Sequence, residues 1–283
     1  MPYPSPRPLR RYFSESNEKP ALFSFDVFDT LVYRPFWPPL KTCRPAVKLL
    51  HRAIGILAKE GSFEYQGRRP QWTELHTLRF EAARQIGDEA IAAGDDPEIP
   101  LDRWIHRWLE LACPAEVITD GRDRDVFLDQ TTEQLARLEI ETDLRCCRPV
   151  PGMREQVLEA RRRAGRVVFI SDMYYKGTDV ARILDRCGYA NLFDTGFVSA
   201  DTMRTKPTGR LFEHALAELD VEPTDWIHTG DNRSADVEPV ERLGGRSIHL
   251  PARRWPIRHQ LGFFGMLVGR AIQQFRRILR PRA

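Results

Sequence analysis

No apolar run in these 283 residues approaches the roughly 20 needed to span a bilayer, and the most apolar part of the C-terminal region, 261–269, falls far short of it. The opening of the chain is proline-rich and basic and lacks the apolar stretch of a secretory signal. Residues 1–20 are therefore expected to be disordered or loosely docked, and cytoplasmic residence follows as the default. Cysteine is scarce: five residues, an odd number without metal-like spacing, argue against an extracellular disulfide framework. Cys146 and Cys147 read as small thiols, buried or partly exposed. Acid is missing from the last 31 residues, which hold eight arginines, so within a net charge of +3 the first 252 residues carry a formal −5. The basicity is local. Hydrophobic content of 42% with 29% charge allows a buried core without suggesting a membrane span, and the length suits a core domain plus a second helical unit.

What the chain does have is a series of short hydrophobic runs that end in polar, chemistry-bearing residues. Residues 21–31 read Ala-Leu-Phe-Ser-Phe-Asp-Val-Phe-Asp-Thr-Leu, placing Asp26 where a strand-like run gives way to a turn. In a parallel α/β sheet, ligands bind outside the carboxyl ends of strands, so such a carboxylate can act as nucleophile, metal ligand or both. Residues 166–172 repeat the pattern and end in Ser171 and Asp172, a hydroxyl for one phosphate oxygen and a further acid. Lys206-Pro207 opens a helical pattern, which predicts an ammonium at a helix start, where the dipole already favours anions. Residues 226–236 bring strand, glycine turn and the acids Asp231 and Asp236, with Asn232 between, which suits a hard divalent cation with oxygen ligands. A lone carboxylate after a strand is more often a turn former or helix cap. The ordered set is far more specific.

That set resembles the four motifs of the haloacid dehalogenase (HAD) superfamily, over residues 21–31 and 149–250, including the Pro149-Val-Pro-Gly-Met153 lead-in to the second motif. The resemblance implies a Rossmann-like, doubly wound parallel sheet with an inserted all-helical cap. It implies that Asp26 attacks phosphorus to form an aspartyl-phosphate, with Mg²⁺ held by Asp26, the backbone carbonyl of Phe28, and Asp231. Asp236 would orient Lys206 or the metal's waters and is counted with the metal set. Ser171 and Lys206 would bind the transferring group, and Thr30, Asp172 and Asn232 would contribute to the substrate site. The implied function is a Mg²⁺-dependent phosphatase acting on a small phosphorylated metabolite such as a sugar phosphate.

One position departs from the family. Its phosphatases usually carry a second aspartate two residues after the nucleophile, as acid for the leaving group and base for water; here that residue is Phe28. Asp29 follows at once, but consecutive residues of an extended chain face opposite ways, so Asp29 replaces the missing carboxylate only if the turn reorients it. Acid–base assistance is worth about 10²- to 10⁴-fold in rate. An acid lent by the insertion, such as Glu64 or Glu74, is the other candidate. A non-acidic residue here also occurs in the superfamily's dehalogenases, which attack carbon and need no metal. The remaining alternative is a catalytically weak binding or scaffold module. The variant Phe25–Leu31 with Ile170–Tyr175 looks like a branch associated with bacterial surface-polysaccharide glycosyltransferases, an association rather than chemistry.

The expected domain plan is a basic segment over 1–20, a core from 21–33 and 149–252, an inserted cap over 34–148 and a basic amphipathic tail over 253–283. The insertion shows helical periodicity over 45–59, 72–93, 101–113 and 123–139. Trp72, Trp104 and Trp108 are expected in its core, with Trp104 and Trp108 on one helical face. Around its start lie Tyr33, Arg34, Phe36 and Trp37; Arg34 is a candidate fork for a second phosphate or carboxylate, against the alternative of hinge packing. Tyr174 and Tyr175 are weaker candidates for lining the same mouth. The tail suits an anionic membrane surface or an acidic partner, a glycosyltransferase among them, against the alternative of a terminal helix packed on the core. Nucleic acid is not expected, since the basic charge comes without a binding fold.

Overall fold

The computed structural model describes residues 4–35, 44–59, 70–114 and 123–251. The expectations for the tail 253–283, for Phe36 and Trp37 and for Glu64 lie outside these residues. The described residues divide into two compact units: 4–35 with Gly94–Glu98 and 144–251, and 44–59 and 70–93 with 99–114 and 123–143.

The first unit is built on a parallel sheet. Strands β1 (Leu22–Phe25), β4 (Arg166–Ser171), β5 (Thr195–Val198), β6 (Trp226–Gly230) and β7 (Arg246–His249) run in the order β5-β4-β1-β6-β7, every adjacent pair parallel. Strands covered on both faces read as near-continuous apolar runs. β1 and β6 are buried throughout and β4 in all but its first residue. Helices α6 (Met153–Arg163), α7 (Gly177–Leu184), α8 (Ser199–Thr202), α9 (Arg210–Leu219) and α10 (Glu238–Arg242) alternate with these strands. Leu211, Phe212, Ala215 and Leu216 of α9 close one core with Leu22, Val168, Ile170, Trp226 and Val240.

The N-terminal segment is more ordered than its composition suggests. Helix α1 (Arg7–Glu15) buries Leu9 and Phe13, and the Phe13 ring lies 5.7 Å from that of Phe23. Two apolar residues four apart supply the burial that a proline-rich, basic stretch was not expected to have. A short antiparallel pair, β2 (Val32–Tyr33) with β3 (Arg148–Pro149), joins the two places where the chain leaves and re-enters this unit.

The second unit contains α2 (Arg44–Lys59), α3 (Trp72–Ala92), α4 (Leu101–Ala112) and all but the last three residues of α5 (Arg124–Cys146). Trp104 and Trp108 are buried and donate their indole N–H groups to the carbonyls of Arg79 and Leu75, each at 2.7 Å. Arg79, itself buried, lies 4.1 Å from the Trp104 ring and pairs with buried Glu139 at 2.8 Å, tying α3 to α5. Trp72 departs from expectation: at the first residue of α3 it is 47% exposed. Among the described residues no helix is long and apolar enough to cross a membrane.

Candidate active site

β4, β1 and β6 are neighbours, and each ends in a residue singled out by the sequence: Ser171 on β4, Asp26 one residue past β1, and Asp231 one residue past β6. The Asp26 N–H donates to Thr229 O at 2.8 Å, which extends the strand pairing up to the carboxylate. Lys206 is buried, and its Nζ donates to Asp26 Oδ1 at 2.6 Å and to Asp236 Oδ1 at 2.5 Å. Asp26, Lys206 and Asp236, far apart in sequence, thus meet at the carboxyl end of the sheet.

Lys206 is not at the start of a helix. Gly209, at φ +90°, terminates a turn, and α9 begins only at Arg210. The ammonium is positioned by hydrogen bonds instead. The Lys206 N–H donates to Asp172 Oδ1 at 2.9 Å, so Asp172 holds the lysine turn. The same turn is gripped by Asp96, whose Oδ2 accepts from Thr205 N at 2.6 Å and Thr208 Oγ1 at 2.7 Å, while its Oδ1 accepts from Arg210 at 3.0 Å. Gly94–Glu98 lies inside the expected cap over 34–148 yet belongs to the first unit, and no local signal says that it meets residues more than a hundred positions away.

Asp236 lies in a wide helical turn, Arg233–Val237, that runs into α10. Its Oδ2 accepts the Asn232 N–H at 2.9 Å, and Oδ1 faces His228 Nε2 at 3.4 Å as well as Lys206. The Asn232 side-chain oxygen accepts from Ser234 N at 3.1 Å and Ser234 Oγ at 2.9 Å. Asn232 thus caps the turn, while its backbone N–H binds Asp236.

The electrostatics are those of crowded acids around one cation. Burial is the largest influence on Asp26; with the Asp236 charge it outweighs the pull of Lys206 and moves Asp26 to about 7. The Thr30 hydroxyl is buried with no hydrogen-bond partner. Asp231 is pushed to about 8 by burial and by the charges of Asp26, Asp236 and Asp29. Asp172 is raised to about 6, chiefly by burial, with Lys206 opposing. Burial works against ionisation of Asp236 too, but the Lys206 ammonium and His228 prevail and hold it well below the carboxylate range. Lys206 stays charged because Asp236 and Asp26 outweigh its desolvation.

Asp29 sits in the left-handed region at φ +62°, with its N–H bonded to Val32 O at 2.7 Å. Aspartate tolerates this conformation better than most residues. The reversal breaks the alternation of an extended chain, and the charge of Asp29 acts on Asp231. Its own carboxyl is raised by burial, with Arg34 opposing. The Arg34 guanidinium lies 4.3 Å from the centre of the Phe28 ring. Of the weaker candidates, Tyr175 is fully buried, and Glu74 closes a capping box on Gln71 at the start of α3.

Among the described residues, Asp26, Asp231 and Asp236 can each offer one carboxylate oxygen with all three within 4.8 Å of one another. An oxygen-only donor set with more negative than positive charge fits a hard divalent cation. Ser171 Oγ is buried with no hydrogen-bond partner, as is Thr229 Oγ1. A buried orphan hydroxyl at a strand end calls for an acceptor or donor from a ligand.

Comparison with known structures agrees on the fold. A 2-haloacid dehalogenase from Pseudomonas syringae pv. Tomato DC3000 is 19% identical, with a TM-score of 0.54 over 80% of this chain and 84% of that one. A haloacid dehalogenase-like family hydrolase from Xanthomonas campestris is 18% identical over 92% of this chain and 95% of that one, with a TM-score of 0.48. A predicted phosphoglycolate phosphatase from Haemophilus somnus 129PT is 14% identical over 84% and 91%, with a TM-score of 0.43. A search of curated proteins finds no match. The family model of haloacid dehalogenase-like hydrolases matches residues 21–244, most of the chain and every element of the site described above, and the chain belongs to that family.

Proposed function

We propose that the protein is a Mg²⁺-dependent phosphoester hydrolase acting on a small phosphorylated metabolite, such as a sugar phosphate, through an aspartyl-phosphate on Asp26. The observation that supports this reading is the charge balance: three carboxylates, Asp26, Asp231 and Asp236, can each place an oxygen within 4.8 Å of the others beside one ammonium, Lys206, which pairs with Asp26 and Asp236. Displacement of halide from carbon requires no cation, whereas two anions, carboxylate and phosphate, cannot approach one another without one. Asp26, Asp231 and the Phe28 carbonyl would hold the metal, which supplies positive charge where the transition state spreads negative charge over oxygen.

The chain's own groups divide the remaining work. The Asp26 carboxylate forms the bond to phosphorus as the bond to the leaving oxygen breaks. Lys206 and the Ser171 hydroxyl hold the phosphoryl oxygens. Asp29, with its raised carboxyl, gives a proton to the leaving oxygen and recovers one from the water that releases phosphate. Asp236 keeps Lys206 aimed at Asp26. A second reading, a catalytically weak binding module, draws on Phe28 and its Arg34 cover, which occupy the place of the usual acid.

The deciding experiment is phosphate release from a panel of sugar phosphates and nucleotides, with Mg²⁺ or EDTA, by the full-length protein and Asp26→Asn. Turnover that needs Mg²⁺ and is lost in Asp26→Asn is expected. Turnover indifferent to EDTA, or surviving in Asp26→Asn, overturns the reading, and a protein that binds Mg²⁺ without turning over any phosphoester favours the binding module.

A further inference from the structure

Beneath the site lies a line of buried polar groups that the proposed chemistry does not use. Trp226, Ser24 and His228 are each fully buried, in β6, β1 and β6. Trp226 Nε1 donates to Ser24 Oγ at 2.7 Å, and Ser24 Oγ lies 2.8 Å from His228 Nδ1. His228 Nε2 faces Asp236 Oδ1 at 3.4 Å, and that oxygen accepts from Lys206 Nζ at 2.5 Å. The Phe212 ring stands edge-on to the imidazole at 4.9 Å and the Trp226 ring lies 6.1 Å away, so aromatic packing fixes the plane of the ring.

The direction of this line follows from donor arithmetic. An indole N–H can only donate, so Ser24 Oγ must accept from Trp226. The single hydroxyl proton of Ser24 is then left for His228 Nδ1, which must accept. A neutral imidazole with an accepting Nδ1 carries its proton on Nε2, facing the carboxylate. The opposite tautomer would leave the Ser24 proton buried without an acceptor and set a nitrogen lone pair against Asp236 Oδ1. Each is costly where no water can compensate.

We propose that His228 is a positioning residue whose Nε2–H holds the Asp236 carboxylate in place to aim Lys206 at Asp26, and that Trp226 and Ser24 impose this tautomer from inside the sheet. The hydrogen-bond line stands independently of the reaction; its catalytic consequence rests on the phosphoester reading above. The imidazole does not touch the reacting atoms and acts through Asp236.

The test has two readouts. Nitrogen NMR of full-length protein labelled at histidine, with the His228 signals assigned by their loss in His228→Gln, reports the tautomer in the unaltered protein and does not depend on any variant folding. Steady-state kinetics then compare His228→Leu, which removes the donor, with His228→Gln, whose amide nitrogen can replace it. The expected result is the Nε2–H tautomer, a fall in kcat on the order of tenfold or more in His228→Leu with KM little changed, and partial rescue by Gln. An Nδ1–H tautomer, a charged ring, or an unchanged kcat in His228→Leu overturns the proposal. Should the wild-type protein turn over no phosphoester while showing the Nε2–H tautomer, the phosphatase reading fails and the buried line stands.

Discussion

A Cβ placed on Gly230 would fall well inside 3.0 Å of Cγ, Oδ2 and Cβ of Asp236, so the absence of a side chain at Gly230 is what lets that carboxylate reach Lys206. The glycine is required here for close approach rather than for an unusual backbone angle. Gly230→Ala is expected to displace Asp236 and with it the ammonium. A misplacement of about 1 Å can cost on the order of 10²-fold in rate. Kinetics of Gly230→Ala should therefore show a loss of that size in kcat, and a variant that keeps wild-type kcat would separate Asp236 from the chemistry.

The raised acids give the metal-free protein a defined response to pH. Asp26, moved to about 7, and Asp231, moved to about 8, hold protons in the folded state that the unfolded chain has already lost. Where the folded state binds more protons, stability falls as pH rises, so this contribution is fully present below the ordinary carboxylate range and disappears as pH climbs through 7 and 8. A cation competes with those protons, so its affinity and its stabilisation grow over the same interval. Thermal unfolding at about pH 6 and about pH 8.5, with EDTA or Mg²⁺, should show the larger Mg²⁺ increment at the higher pH. Asp231→Asn should flatten the difference. Equal increments at both pH values would disconnect the acids from metal binding.

Much of this site was legible because it is local. Asp26 and Ser171 each end a short apolar run, and Asp231 follows a glycine turn, the pattern that strands buried on both faces of a parallel sheet leave in a sequence. The helices of the second unit were legible through their spacing. What escaped was non-local or stereochemical. Asp96 meets the Lys206 turn across more than a hundred residues, and nothing in Gly94–Glu98 announces it. The left-handed backbone of Asp29, whose N–H bonds Val32 O, is a turn geometry that strand alternation does not announce. Gly209 delayed α9 past Lys206. Trp72 shared the helical spacing of a core residue but stands at the end of its helix.

Asp29 makes a separate prediction about proton transfer. If it carries the proton for the leaving oxygen, Asp29→Asn should lower kcat by about 10²-fold or more, most strongly for substrates with poor leaving groups. Phosphoesters that leave without protonation should be affected least. The comparison of alkyl with nitrophenyl phosphates measures this, and a uniform loss across both classes would assign Asp29 to binding or folding instead. Phe28→Asp, tested beside it, should raise the rate toward poor leaving groups in the Asp29→Asn background.

In the helical unit the buried Arg79–Glu139 pair governs stability rather than chemistry. The two side chains are 2% and 0% exposed at 2.8 Å, and the guanidinium also packs on Trp104. Removing one partner leaves a buried charge without compensation, at a cost of about 3–5 kcal/mol. Replacing both with apolar residues of similar volume removes the desolvation penalty together with the attraction, and such exchanges are often neutral or stabilising by about 1–4 kcal/mol. Glu139→Gln should therefore lower the urea midpoint markedly, while Arg79→Met combined with Glu139→Leu should recover most of the loss. The measurement is urea denaturation followed by tryptophan fluorescence. A double variant as unstable as Glu139→Gln would mean that the pair holds α3 and α5 together through geometry that apolar packing cannot replace.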